Sequence, residues 1–156
     1  MDFAETGSVE AVRREVERLR AERYLTDREA EAVDAGAIRR LFASPLGRRM
    51  LAARWREREF RFSLLCDARE LFGLAPGEQV LLQGVVDCCL EEDGELVVID
   101  YKTDAVRTPE EIAARTRLYA GQLRAYAGAL TRMFQKPVKE CVLYYLAAGE
   151  AVTVEI

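Results

Sequence analysis

Residues 83–102 read QGVVDCCLEEDGELVVIDYK, and this stretch decides the fold. Two apolar runs flank an acidic segment that contains Asp93 and Gly94. Asp-Gly between two such runs is a strong signal for a two-residue β-hairpin turn. We therefore predict a hairpin with strands over residues 79–90 and 95–102, in which Glu92 pairs with Glu95.

The predicted register places two acidic side chains opposite each other. Counting back from the turn, Asp87 falls opposite Asp100, so both carboxylates share one face of the sheet. Lys102 lies two residues beyond Asp100 and points to that same face. Facing carboxylates repel each other, and a divalent cation between them would remove that penalty. The hairpin therefore predicts Asp87 and Asp100 as metal ligands, and Lys102 as a catalytic residue that holds an attacking water or stabilises charge.

Each of these assignments has a structural alternative. A strand aspartate can simply accept hydrogen bonds or cap a turn, although aspartate is depleted in strand interiors. Lys102 could form a salt bridge to Asp87 or Asp100 without taking part in chemistry. The backbone carbonyl of Tyr101 is a further candidate ligand, because hard cations such as Mg²⁺ accept backbone oxygens.

These motifs resemble those of the PD-(D/E)XK nuclease superfamily. Asp87 followed by Asp100-Tyr101-Lys102 is similar to its Asp…(Asp/Glu)-x-Lys signature, and Gln122-Leu-Arg-Ala-Tyr126 is similar to the Gln-x-x-x-Tyr motif of its RecB-like branch. Within that branch, the chain resembles the C-terminal nuclease domains of AddA-type helicase–nucleases. Their Gly-hydrophobic-hydrophobic-Asp, Asp-Tyr-Lys-Thr-Asp and Tyr-x-x-Gln-hydrophobic-x-x-Tyr motifs recur here in the same order, starting at Gly84, Asp100 and Tyr119.

The resemblance implies a function that the residues alone do not. It implies a DNA exonuclease dependent on Mg²⁺ or Mn²⁺, which processes double-strand-break ends in recombination repair. Its partners would be DNA, the helicase portion of a parent chain and the second nuclease protein of an AddAB-type complex. Gln122 and Tyr126 would contact DNA phosphate or order the site. The alternative is a catalytically inactive scaffold or DNA-guiding module on the same fold.

Other residues near the site are weaker candidates. Glu59 would project from the first strand toward the hairpin. Asp104 closely follows the site but could equally shape the loop. By residue type alone, Tyr119 and Tyr126 are core aromatics with polar tips, and only the resemblance favours a functional role for Tyr126.

Histidine is absent from the chain, and this departs from the RecB-like pattern. That branch usually carries a metal-binding histidine on a helix upstream of the first strand. We therefore expect a fragment that begins beyond that helix, which should fold but be nearly inactive alone. The absence also excludes Ser-His-Asp and Cys-His catalysis within this chain. Its net charge of −4 offers little general attraction for phosphate.

The composition is that of one globular domain. The 156 residues divide into predicted N-terminal helices over 8–53 and a catalytic core over 57–156. No apolar run is long enough to span a bilayer and no export signal is visible, so we expect a cytoplasmic protein without membrane partners. The cysteines form no C-x-x-C pair, which favours small core residues over a metal or redox site.

Periodicity and caps predict the remaining elements. Helices are expected from Ser8 to about residue 24, from Thr26 to about residue 43, and after Ser44-Pro45. A strand over 57–66 and a connection over 67–77 precede the hairpin. Thr108-Pro109 opens a long helix to about residue 134, followed by strands over 138–146 and 150–156. This order predicts an α/β, restriction-endonuclease-like mixed central sheet flanked by helices.

Overall fold

The computed structural model describes residues 7–67, 69 and 79–156, and the chain divides into two compact units with the boundary between Ala52 and Ala53. The first unit contains helices α1 (Val9–Ala21), α2 (Asp27–Ala32), α3 (Ala35–Ala43) and α4 (Pro45–Ala52). The second contains β1 (Arg56–Asp67), β2 (Gln79–Glu92), β3 (Glu95–Lys102), α5 (Pro109–Phe134), β4 (Val138–Tyr145) and β5 (Glu150–Val154). The predicted connection over 67–77 lies almost entirely outside the described residues.

Caps define the helices of the first unit. Ser8 caps α1 as predicted, because its Oγ accepts a hydrogen bond of 3.0 Å from the backbone N–H of Ala11. The prediction of one helix from Thr26 to about residue 43 is wrong. The chain is extended at Val33, and Asp34 begins a new helix by accepting from the N–H of Ala37 at 2.9 Å. A side-chain acceptor that competes with the backbone is the physical reason for this break.

A five-stranded mixed sheet forms the second unit. The strand order is β1-β2-β3-β4-β5, with β3 and β4 parallel and the other neighbouring pairs antiparallel. Helix α5 connects the parallel strands and packs one apolar stripe on the sheet, including Ile112, Leu123 and Leu130. Its predicted capping box is present, since Thr108 and Glu111 exchange hydrogen bonds. The predicted α/β class with a mixed central sheet is confirmed.

The hairpin has the predicted turn. Glu92 pairs with Glu95, and the register continues to Cys88 opposite Ile99. Asp93 and Gly94 have φ values of 55° and 85°, the left-handed conformation that such a turn requires at both central positions. The cysteines are buried and free, as expected of small core residues. No helix among the described residues is long and apolar enough to cross a membrane.

Candidate active site

The strand pairing is interrupted at Asp87. The β2–β3 pairs end at Cys88, one residue before Asp87 would meet Asp100. On the other side, the β1–β2 pairs run through Arg58 and Phe60 but skip Glu59, whose partner would be Asp87. Glu59 has a φ of 51°, a left-handed conformation that costs a non-glycine residue on the order of 1–3 kcal/mol. Backbone strain is therefore stored beside a predicted site residue.

The Asp87 side chain replaces a backbone acceptor at this interruption. Its Oδ2 accepts a hydrogen bond of 2.7 Å from the N–H of Tyr101. If the hairpin register continued, Tyr101 would lie opposite Val86 and pair with its backbone. This contact fixes the Asp87 carboxylate against β3, next to the strand segment that carries Asp100.

Asp100 and Lys102 form a buried ion pair. Asp100 is 6% exposed, and its Oδ2 lies 2.6 Å from Lys102 Nζ. The approach of the ammonium is not directed as a hydrogen bond, so this buried oxygen has no hydrogen-bond donor among the described residues. An acceptor with unused capacity in such a place can take a further ligand.

The electrostatics of the two acids are coupled. Burial raises the pKa of Asp87, and the Asp100 carboxylate raises it further, while the Tyr101 N–H and Lys102 oppose the shift. Glu59 is exposed and contributes a smaller repulsion to the pKa of Asp87. Repulsion between neighbouring carboxylates is what a bound cation would relieve.

Lys102 has a second partner that the sequence did not indicate. Its Nζ lies 3.8 Å from the centroid of the Tyr119 ring on α5. The Tyr119 hydroxyl donates to both oxygens of Asp104, at 3.1 and 3.3 Å, and Arg115 Nε lies 3.4 Å from Asp104 Oδ1. Burial and the Asp104 carboxylate both raise the pKa of Tyr119, so the phenol stays protonated and keeps donating.

Gln122 and Tyr126 form the contact that their helical spacing allows. Gln122 is exposed, and its Nε2 donates to the Tyr126 hydroxyl at 2.8 Å. The Tyr126 ring is buried and packs edge-on against Phe62, with 5.1 Å between ring centroids. It also lies so close to Gly84 that a Cβ there would be 2.7 Å from the ring. Tyr126 is thus both a core aromatic and the support of an exposed amide.

The Tyr101 side chain contributes to packing rather than to the acidic cluster. It alternates with Asp100 and Lys102 along β3 and interacts with Cys88. Burial raises the pKa of Tyr101 and also raises the pKa of the Cys88 thiol to about 11. Its backbone N–H, by contrast, belongs to the site through Asp87.

The donor set suits a hard cation held by few protein ligands. No group of three or more His, Cys, Asp and Glu side chains that could hold a metal is present within residues 7–67, 69 and 79–156. Mg²⁺ commonly binds one or two carboxylates and completes its shell with water and substrate phosphate. Asp87 together with the open Oδ2 of Asp100 fits that requirement.

Comparison with known families agrees with this geometry. The model of the PD-(D/E)XK nuclease superfamily matches residues 3–155, and the chain belongs to this superfamily. Proteins of the superfamily generally use divalent metals.

Curated relatives narrow the similarity to one kind of protein, the larger polypeptide of an ATP-dependent helicase/nuclease. The chain is 41% identical over 154 residues to such a protein from Desulforudis audaxviator, and the match covers 97% of this chain and 12% of the relative. It is 42% identical to the one from Geobacillus kaustophilus and 43% identical to the one from Geobacillus thermodenitrificans, over 92% and 86% of this chain and 12% of each relative. The chain therefore spans about an eighth of the length of these relatives.

Proposed function

We propose that this chain is the nuclease domain of an ATP-dependent helicase–nuclease and hydrolyses phosphodiester bonds of DNA with Mg²⁺ or Mn²⁺ as cofactor. The observation that carries the proposal is the pairing of Asp87 with Asp100 beside a buried lysine, at the point where β2 leaves the sheet. Membership of the nuclease superfamily and the similarity to helicase/nuclease proteins support it.

The two aspartates are the proposed metal ligands. Asp87 is oriented by the Tyr101 N–H and Asp100 by its position on a buried strand, so neither carboxylate needs to move to share a cation. A divalent cation bound there would polarise the scissile phosphate and lower the pKa of an attacking water. The Tyr101 carbonyl is the candidate third oxygen ligand.

Lys102 is the proposed catalytic cation. Its ammonium lies at the Asp100 carboxylate, where it can orient a water or stabilise the negative charge that develops on the phosphate. Gln122 is proposed to contact the DNA backbone, because its amide is exposed while Tyr126 holds it in place. Glu59 and Asp104 are proposed to assist from the edge of the site.

The wider role follows from the relatives. We propose that the parent chain contains a helicase that delivers DNA, and that it acts in the cytoplasm with a second nuclease protein. In that complex the domain would work as an exonuclease on double-strand-break ends during recombination repair. The chain alone has no histidine and carries a net charge of −4, so we expect it to cleave DNA poorly without the rest of the complex.

Single-turnover cleavage of DNA by the full-length parent protein tests this function. With Mg²⁺ present, Asp100→Ala should abolish nuclease activity while ATP-dependent unwinding continues. Asp93→Asn is the matched control, because it also removes one negative charge but lies in the turn, where asparagine tolerates the left-handed conformation. Wild-type cleavage by Asp100→Ala would show that the catalytic assignment is wrong.

A second candidate is a catalytically inactive scaffold or DNA-guiding module. Each acid already has a protein partner, since Asp87 accepts from Tyr101 and Asp100 pairs with Lys102, and this is the observation that favours it. Titrating Mn²⁺ into wild type and Asp87→Ala separates the two functions. The scaffold predicts equal binding, whereas the nuclease predicts weaker binding by the variant.

A further inference from the structure

Lys102 contacts two partners of different chemical character. The Asp100 carboxylate oxygen lies 2.6 Å from Nζ, and the Tyr119 ring centroid lies 3.8 Å from it. The Lys102 side chain is 14% exposed, so the ammonium is largely withdrawn from water. A cation–π contact is stronger in such a desolvated position than at an open surface.

The Tyr119 ring is itself anchored. Its hydroxyl donates to Asp104, which follows β3, and Asp104 also pairs with Arg115 one turn earlier on α5. The Asp104 side chain is only 18% exposed. The loop after β3 and the helix are therefore tied together at this point, and the ring face is held over the end of β3.

The two partners respond differently to a metal. A divalent cation on Asp100 would compete for the oxygen that pairs with Lys102 and would repel its ammonium. The ring of Tyr119 is neutral and is not a ligand for a hard cation, so its attraction for the ammonium would persist. Without this second partner, Lys102 would have no described contact to keep it at the site.

We propose that Tyr119, anchored by Asp104, is a positioning residue that keeps the Lys102 ammonium at the site when the Asp100 carboxylate is engaged elsewhere. This inference rests on the proposed function for its purpose, but the contact itself does not depend on cleavage. It also gives Tyr119 and Asp104 a role that packing alone would not require.

Nuclear magnetic resonance of the 156-residue chain with labelled lysine tests the contact directly. The chain contains only three lysines, so Lys136 and Lys139 serve as internal references for the fold. Methylene protons held over an aromatic ring are shifted upfield. The Lys102 ε signal should show this shift in wild type, retain most of it in Tyr119→Phe and lose it in Tyr119→Leu. Leu118→Ala is the control, because this neighbouring side chain on the same helix is 70% exposed.

Two further variants separate the partners. In Asp100→Asn the carboxylate charge is gone, and the Lys102 shift should persist because the ring still holds the ammonium. In Asp104→Ala the ring loses its anchor, and the shift should fall. Loss of the shift in Asp100→Asn, or an unchanged Lys102 signal in both Tyr119→Leu and Asp104→Ala, would overturn the inference.

Cleavage by the parent protein provides the functional readout. Tyr119→Leu should lower the single-turnover rate roughly tenfold with little change in DNA binding, and Tyr119→Phe should restore most of that loss. If Lys102→Ala leaves the rate unchanged while the shifts behave as described, the proposed role of Lys102 fails and the positioning contact stands. If the shifts fail while Lys102→Ala is inactive, the nuclease stands and the positioning role of Tyr119 is wrong.

Discussion

Asp87 Oδ2 accepts a 2.7 Å hydrogen bond from the backbone N–H of Tyr101, one residue beyond the last β2–β3 pair. A side-chain carboxylate thus takes a donor that the ladder would otherwise satisfy with a carbonyl. The opening of the hairpin and the orientation of the acid are therefore the same structural event. A charged group has been placed where a neutral acceptor would suffice, and this should reduce stability.

Asp87→Asn should stabilise the metal-free chain at neutral pH. Burial raises the pKa of Asp87, so the folded chain binds a proton there more tightly than the unfolded chain does. The ionised form therefore lowers the free energy of unfolding at high pH, and this loss disappears below about pH 4, where both states are protonated. Asparagine keeps an acceptor for the Tyr101 N–H without the charge. Urea unfolding in the presence of a chelator should show a gain on the order of 1 kcal/mol at pH 7.

The same measurement on Asp93→Asn is the control, since this turn residue changes charge without entering the site. The gain for Asp87→Asn should shrink as the pH falls. A gain that is constant with pH, or a loss of stability at pH 7, would contradict the electrostatic explanation.

Gly84→Ala should destabilise the chain and disturb the Gln122–Tyr126 pair. The added Cβ would lie 2.7 Å from the Tyr126 ring, and the ring is buried, so it cannot move aside freely. Overpacking of this kind costs about 1–3 kcal/mol. Thermal or urea unfolding measures the loss, and Tyr126→Leu in the same chain should recover part of it, because the two residues are in contact.

Gly121→Ala provides the matched comparison. Gly121 lies on α5 with nothing within 4 Å of its added Cβ, so alanine should stabilise the helix by up to about 1 kcal/mol. Equal effects of the two glycine substitutions would mean that the approach of Tyr126 to Gly84 does not constrain the site.

Local signals in the sequence predicted most of the fold. The Asp93-Gly94 turn set the hairpin register, and the Thr108 capping box located the start of α5. The break before α3 was missed because Asp34 fits a continuous helical pattern as a surface residue, and only its bond to Ala37 reveals a cap.

The details of the site were less accessible from the sequence. The left-handed backbone at Glu59 has no residue signal, since glutamate gives no indication of positive φ. The contact between Lys102 and Tyr119 depends on where α5 crosses the sheet, which periodicity does not specify. The Tyr119-to-Tyr126 spacing of two helical turns was the available clue that both residues share the inner face.

The native cysteines should react slowly with thiol reagents. Burial raises the pKa of Cys88 to about 11 and the pKa of Cys89 and Cys141 to about 12, and Cys66 is also buried. Little thiolate is therefore present at pH 8, and thiolate is the reactive form. A disulfide-exchange dye should label the folded chain slowly and label all four cysteines at once in denaturant. Rapid labelling of the folded chain would show that the sheet core is open to solvent.

The most direct test of the nuclease assignment is a double-mutant cycle of Asp87→Asn and Asp100→Asn in single-turnover DNA cleavage by the parent protein with Mg²⁺. Residues that act as one unit lose activity non-additively, so the double variant should cleave no more slowly than the slower of the two single variants. Each single variant should fall by roughly 100-fold or more, with Asp93→Asn near wild type. Wild-type cleavage by either single variant, or losses that multiply in the double variant, would contradict a shared metal site.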